Sequence, residues 1–305
     1  MADTSIEWTR SCYGSKPVKG KAWNATTGCN DDIVSPGCEH CYARRMARRL
    51  AGRYGYPMDE PFRVTMHPYR LAMPLRWRKP RRIFVDSMGD LFHEDVPDEF
   101  IAAVFGVMAA CPQHTFLVLM KRPERMAKWF EWVAAQPLHN AWRCARFALD
   151  GGYIPKKHRE PVMMVGQGLP PHPWPLPNVW LGVTAEDQQR ADARIPLLLQ
   201  TPAAVRFVSV EPMLGQVWLD AILMSPHFPG IATNALRRHN DTSLNWVICG
   251  AETGPGARPM DPEWARSLLA QCRAAGVPFF FKKAGPGIAT PPDLAVREWP
   301  EVRRG

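Results

Sequence analysis

The stretch "VWLGVTAEDQQRADARIPLLLQTPAAVRFVSVEP" (residues 179–212) reads as strand, helix, strand. Its outer segments, 179–186 and 205–212, are nearly unbroken apolar runs that finish on polar residues, Thr184 and Glu186 in one and Ser209 and Glu211 in the other. Continuous rather than alternating apolarity marks a strand buried on both faces. A helix over 187–200 between two such strands makes them parallel neighbours joined by a right-handed crossover.

Working outward, the same unit recurs. Strands are expected at "RIFVDSMGDLF" (82–92), "TFLVLMKR" (115–122), "WVICGAE" (246–252) and "VPFFFKK" (277–283), with helices over 41–54, 97–110, 123–135 and 261–275. Pro97-Asp98-Glu99 and Asp261-Pro262-Glu263 put acids and proline where a helix N-terminus favours them. One further strand near the N-terminus brings the count to about seven. No GxGxxG loop follows the first strand, as a doubly wound dinucleotide fold would have. The expected class is therefore α/β: a full or partial parallel β/α (TIM-like) barrel forming one domain over 1–305, with insertions at about 136–178 ("GQGLPPHPWPLPN" within it) and 219–245.

Polar residues close successive strands: Asp86, Ser87 and Asp90, then Lys121 and Arg122, Thr184 and Glu186, Ser209 and Glu211, Glu252, and finally Lys282 and Lys283. In a barrel these gather at one mouth, where sites form.

The chain of 305 residues is 46% hydrophobic, has no run long enough to span a membrane, and starts with a polar "MADTSIEWTR", so a cytoplasmic protein is expected. Its formal charge of +9 is regional. From Arg44 to Arg82 twelve Lys or Arg stand against two acids, Asp59 and Glu60, which suits a polyanionic partner or a solvated helix face.

Eight cysteines in a chain with a large core argue against a disulfide framework. Cys111, Cys144, Cys249 and Cys272 read as small buried hydrophobes. "GCNDDIVSPGCEHCY" (28–42) instead sets Cys29, Cys38 and Cys41 in a turn-rich loop. Soft thiolates select zinc or iron–sulfur clusters. Zinc wants four ligands, commonly in two pairs, and here only Cys38 and Cys41 pair, with His40, His67, His93 or the upstream Cys12 left as a fourth. A four-iron cluster with three thiolates leaves one iron open for another ligand.

A three-cysteine loop after a first strand, opening a helix inside a β/α barrel, resembles the radical S-adenosylmethionine (SAM) superfamily, whose usual pattern is CxxxCxxC with an aromatic residue before the last Cys. Here Cys38 and Cys41 match its second half, His40 takes the aromatic position, and eight residues separate Cys29 from Cys38. "WNATTGCNDDIVSPGCEHCYA", "VDSMGDLFHEDVP", "LMKRPERM", "NVWLGVTAEDQ", "RFVSVEPMLG" and "WVICGAETGPGARPM" look like the blocks of a phage-associated family of three-Cys proteins similar to radical SAM enzymes.

The resemblance implies a 4Fe-4S cluster on Cys29, Cys38 and Cys41, with SAM chelating the open iron and a deoxyadenosyl radical abstracting hydrogen from substrate. It also implies SAM contacts from His40 and from the turn Ser87-Met88-Gly89-Asp90, with Thr184 and Glu186 toward the ribose or carboxylate and Ser209 and Glu252 more loosely. Lys121, Glu211 and Lys283 are the candidates for substrate orientation and proton handling, and a reductant such as a flavodoxin follows from the same chemistry.

For the substrate, "CYARRMARRLAGRYG" clusters Arg44, Arg45, Arg48 and Arg49 opposite Tyr42, Met46 and Leu50. Such a face can track phosphates, with Trp77 and Tyr69 as stacking rings, so a nucleic-acid or nucleotide substrate is expected, such as a modified base in DNA. A zinc- or cluster-stabilised DNA-binding protein without SAM chemistry remains the other reading. A metal-dependent hydrolase lacks HxH or HExxH spacing.

Overall fold

The computed structural model describes residues 4–13, 16–135, 140–167, 173–223, 232–237 and 242–301. Seven strands form its main sheet: β1 (Lys21–Trp23), β2 (Arg82–Val85), β3 (Thr115–Met120), β4 (Val179–Thr184), β5 (Val205–Val210), β6 (Trp246–Cys249) and β7 (Phe279–Phe281). Their hydrogen-bonded order is the order of the chain, β1 to β7. The pairs β1–β2, β2–β3, β5–β6 and β6–β7 are parallel. A consecutive parallel order, without the reversal of a doubly wound sheet, is that of a partial β/α barrel.

Helices α1 (Tyr42–Arg49), α2 (Asp98–Ala109), α3 (Pro123–Ala134), α4 (Asn140–Asp150), α5 (Arg159–Met164), α6 (Gln188–Gln200) and α7 (Pro262–Ala275) lie among the strands. Their ends follow local chemistry. Asp187 caps α6 by accepting from Arg190 N, and Asp261 caps α7 by accepting from Glu263 N. Gly276, at φ +67°, stops α7 in the left-handed conformation. The expected helix over 41–54 stops at Arg49, because Gly52 and Gly55 take positive φ and fold the chain into a turn. Expected strands are likewise shortened: 82–92 ends at Val85 and 246–252 at Cys249, their polar tails leaving the sheet.

By its internal contacts the chain forms two compact units, the first comprising Met1–Asp32, Tyr42–Trp180 and Pro202–Ala204, the second Ile33–Cys41, Leu181–Thr201 and Val205–Gly305. In the first, α2 is buried along almost its whole length from Phe100 to Ala109. A helix apolar all round needs cover on every side. Part of that cover is α4, from the segment 136–178 that reads in sequence as an irregular insertion; it carries α4 and α5, while 136–139 and 168–172 lie outside the described residues. The two helices meet so closely that a Cβ on Gly106 would fall 2.2 Å from the Cys144 carbonyl oxygen.

In the second unit Trp246 stands between Phe207 and Phe280, at ring separations of 5.8 and 6.2 Å, and its indole nitrogen donates to Glu298 O at 2.8 Å. The described part of the 219–245 insertion pairs Ile222–Leu223 with Ala232–Thr233 and buries Leu219, Ile222, Ala235, Leu236 and Leu244, so it is packed down. Among the described residues no helix is long and apolar enough to cross a membrane.

Gly106→Val is expected to destabilise the fold by about 2 kcal/mol through overpacking, read as a lowered midpoint in urea unfolding. An unchanged midpoint would show that α2 and α4 do not make this contact.

Candidate functional site

In the first unit the chain leaving β1 passes over the end of β2. Asp86, the first residue beyond β2, is 2% exposed and accepts from Thr26 N at 2.9 Å and Thr26 Oγ1 at 2.8 Å. Burial pushes its carboxyl up to about 7 in spite of those hydrogen bonds. Gly28 N donates to Met88 O at 2.8 Å, and a Cβ on Gly89 would meet Gly28 O at 3.0 Å. The glycine of the Ser87-Met88-Gly89-Asp90 turn is thus needed where the cysteine loop presses on it. Cys29 N and Asn30 N then share the Phe62 carbonyl, at 2.9 and 3.0 Å.

Ser87 Oγ donates to Asn24 Oδ1 at 3.1 Å. Both oxygens of Asp90 are engaged, Oδ1 by Phe92 N at 3.0 Å and Oδ2 by Lys121 N at 2.9 Å. Arg122 lies 3.6 Å from Asp90 and reaches Asp32 at 2.8 Å and Glu94 at 3.3 Å, while His93 Nε2 sits 3.0 Å from the same Asp32 oxygen. One strand-end turn, the Asp32 end of the loop and the start of α3 are joined in this way.

In the second unit the segment Ile33–Cys41 is held mainly by charge. Ser35 Oγ donates to Glu186 Oε1 at 2.6 Å. Arg194, on α6, donates to Glu186 Oε2 at 3.0 Å, to Thr184 O at 2.8 Å and to Val34 O at 3.3 Å. Glu186 itself has no exposure to solvent.

A second carboxylate, Glu252, meets His40 Nδ1 at 3.0 Å and three Arg258 nitrogens at 2.6 to 3.0 Å. Arg258 extends to the segment itself, donating to Pro36 O at 2.9 Å and to Glu39 at 3.0 Å. Burial alone would raise the Glu252 carboxyl; the hydrogen bonds from Arg258 and His40 outweigh it and hold the group down at about 2.

Ser209 is buried and its carbonyl accepts from Ala185 N at 3.0 Å. Glu211 pairs with Lys282, while the Lys283 carbonyl accepts from Ala251 N at 3.0 Å.

Cys29, Cys38 and Cys41 are half-buried thiols outside any disulfide, and Ser35 Oγ lies 3.7 Å from Cys38 Sγ. Cys111, Cys144, Cys249 and Cys272 are fully buried, and burial pushes the Cys111 and Cys272 thiols up to about 12. The expectation about Cys12 falls on a side chain outside the described residues. Among the described residues no three His, Cys, Asp or Glu side chains, Cys29, Cys38 and Cys41 included, are grouped closely enough to hold a metal ion. The histidines considered as a fourth zinc ligand have partners in the fold: His40 has Glu252, His93 has Asp32, and His67 Nε2 meets Thr27 Oγ1 at 2.8 Å.

The basic helix differs from expectation. α1 buries Ala43 and Ala47 and exposes Tyr42 and Met46, because two alanines one turn apart allow close packing while the larger groups turn outward. Arg44 is bound by Asp31 at 2.6 Å, Arg45 is half-buried, and Arg48 and Arg49 face solvent. Trp77 is half-buried, with its ring 6.1 Å from His114, whereas Tyr69 is exposed.

Sequence reasoning named His40, Glu186 and Glu252 and missed the residues that tie them to the loop, Ser35, Arg194 and Arg258. Arg258 stands six residues beyond Glu252 in "GAETGPGAR". Ser35 reads as a turn former and Arg194 as an ordinary helix residue.

A family model described as "Protein of unknown function (DUF5131)" matches residues 3–292, and the chain belongs to that family. No curated protein and no solved structure matches it. Because folding lowers the Glu252 pKa, its stabilisation is complete above the usual glutamate range and vanishes as pH falls toward about 2. Glu252→Gln is expected to cost about 2 kcal/mol at neutral pH, with the gap to wild type closing in thermal melts as the pH is lowered from about 4.5. A gap that does not depend on pH would show that the Glu252 charge is not what holds the segment.

Proposed function

We propose that this DUF5131 protein is an enzyme of the radical SAM type acting on a base in nucleic acid. The observation that carries the reading is the bracing of Ile33–Cys41, in which Ser35, Pro36, Glu39 and His40 are all tied to Glu186, Glu252 or Arg258, leaving Cys38 and Cys41 half-buried on a fixed backbone. Such bracing suits sulfurs that must keep their place around a ligand. Cys29 comes from the loop after β1, whose backbone is fixed by Met88 and Phe62.

The donor set suits a cluster better than zinc. Each thiolate of a four-iron cluster takes its own iron, so three suffice and the remaining iron is open. A closed zinc site needs a fourth protein ligand; His67 and His93 have partners in the fold at both ring nitrogens, and His40, which turns Nδ1 to Glu252, adjoins Cys41 in sequence. When bound, cluster and SAM together supply one-electron reduction and radical hydrogen abstraction.

The remaining tasks belong to the chain. Cys29, Cys38 and Cys41 ligate. Glu186 and Glu252 position the second and third thiols through Ser35, His40 and Arg258. Lys121, Glu211 and Lys283, at strand ends, are the candidates to orient substrate and move protons, with Glu211 paired with Lys282. Ser87, Gly89, Asp90, Thr184 and Ser209 shape the strand-end surface toward SAM, and a flavodoxin-like protein is the class of reductant required. Arg45, Arg48 and Arg49 carry the affinity for nucleic acid.

Anaerobic reconstitution is expected to yield about four irons per chain, with an electron paramagnetic resonance spectrum that changes on adding SAM. Cys29→Ala, Cys38→Ala and Cys41→Ala should each lose the iron. Zinc in place of iron, a spectrum indifferent to SAM, or a variant that keeps its iron would overturn the reading and return the cysteines to bracing a DNA-binding fold.

A further inference from the structure

We propose that the turn following α1 is a stacking platform for single-stranded nucleic acid, with Tyr54 and Tyr69 as the rings that face bases and Arg48, Arg49 and Arg53 as the phosphate contacts. The inference deepens the nucleic-acid part of the reading above and does not depend on the iron chemistry.

The turn "AGRYGYP" (51–57) is built to display a side chain. Gly52 and Gly55 take φ of +69° and +85°, and between them Tyr54 takes +54°, a region that a bulky side chain rarely enters. The ring so placed contributes little to the core, since Tyr54 is 73% exposed. An aromatic residue held in an unfavourable conformation and turned to solvent points to a role in binding.

Tyr69 is its neighbour and is fixed from beneath. Its hydroxyl donates to Tyr54 O at 3.3 Å, its ring stands edge-on to His67 at 5.7 Å, and the Arg70 guanidinium lies 5.4 Å from its centre. Arg70 also donates to Tyr54 O, so both tyrosines hang from one buried cation. Tyr69 is nevertheless 63% exposed. Two rings on an ordered backbone lose little freedom when a flat group stacks on them.

The charge around them has one sign. From Tyr42 to Arg53 the chain holds five arginines and no acid; Arg48, Arg49 and Arg53 are exposed, and Arg53 donates to Arg49 O, bringing α1 and the turn together. The next acids, Asp59 and Glu60, are paired with Arg63 at 3.3 and 3.6 Å. Arginines beside open aromatic faces match a chain of phosphates carrying unstacked bases, whose rings a duplex keeps hidden. An anionic membrane would call for a broad apolar outer face, and α1 turns Ala43 and Ala47 inward and offers outside only Tyr42 and Met46 beside the exposed Arg48 and Arg49.

The test is fluorescence anisotropy of the full chain with a labelled oligothymidylate of about twelve nucleotides, alongside a duplex of the same length and phosphatidylserine vesicles. Tyr54→Asn, which tolerates the left-handed conformation, and Tyr69→Ala should each weaken single-strand binding about tenfold, while Tyr54→Phe keeps it. Replacing Arg48 and Arg49 together by alanine should reduce the salt slope by about 1.4. Tyrosine variants that bind like wild type, equal affinity for the duplex, or tighter binding to vesicles would overturn the platform. Iron counting on the same preparations separates the two readings: a chain that loads iron but ignores the oligonucleotide rejects only the platform, and one that binds it without loading iron rejects only the cluster.

Discussion

Between Asp32 and Tyr42 the chain has little apolar surface to bury. Ile33 and Val34 face solvent, and the remaining residues are turn formers, a glutamate, a histidine and two thiols. Hydrophobic contact therefore cannot fix this segment, and two carboxylates at strand ends do so instead. Glu186 is wholly buried and is compensated by Arg194 and Ser35; Glu252 is nearly so and is compensated by Arg258 and His40. A buried ion pair adds little net stability over an apolar one, but losing a single partner is costly, and its directional hydrogen bonds specify geometry. The parallel sheet matters to the cysteines because it delivers these two carboxylates, from β4 and β6, to one segment.

The two loop anchors obey the same electrostatics with opposite results. Asp86 receives only neutral donors, from Thr26 and the Ala25 backbone, so desolvation, with a smaller push from Asp90, prevails and its carboxyl rises to about 7. Glu252 receives a guanidinium and an imidazole, so charge prevails and it stays ionised down to about 2. Near neutral pH the support under Thr26 is thus shared between protonated and ionised forms, while the clamp on Pro36 and His40 is ionised throughout.

The strands were legible because burial on both faces leaves continuous apolar runs, and β4, α6 and β5 fall where that pattern puts them. Element ends were less so, since polar strand tails such as Asp86 to Asp90 resemble strand until the turn is seen. Helix α4 was hidden by the prolines and glycines further along its segment, although the all-apolar α2 signalled that something must cover it. On α1 the bulky apolar residues seemed the inward face, yet alanines permit the closer approach and won. Residue type and position beside a strand or cysteine singled out Glu186, Glu252 and His40 as SAM contacts, and the folded chain has all three in the bracing of Ile33–Cys41. Partner choice did not follow: whether Glu211 meets Lys282 or Lys283 depends on strand register and rotamer, which only the folded chain decides.

The bracing of Ile33–Cys41 also has an order in time. Ser35 waits for a partner 151 residues later in the chain, His40 for one 212 later and Pro36 for one 222 later. At ribosomal speeds of roughly 5–20 residues per second, the thiols of Cys38 and Cys41 leave the ribosome about 10–40 s before the side chains that fix them. Throughout that interval they sit on an unanchored strand of polypeptide, open to oxidants and stray metal. Their bracing is complete only after the last third of the protein has been synthesised and folded back.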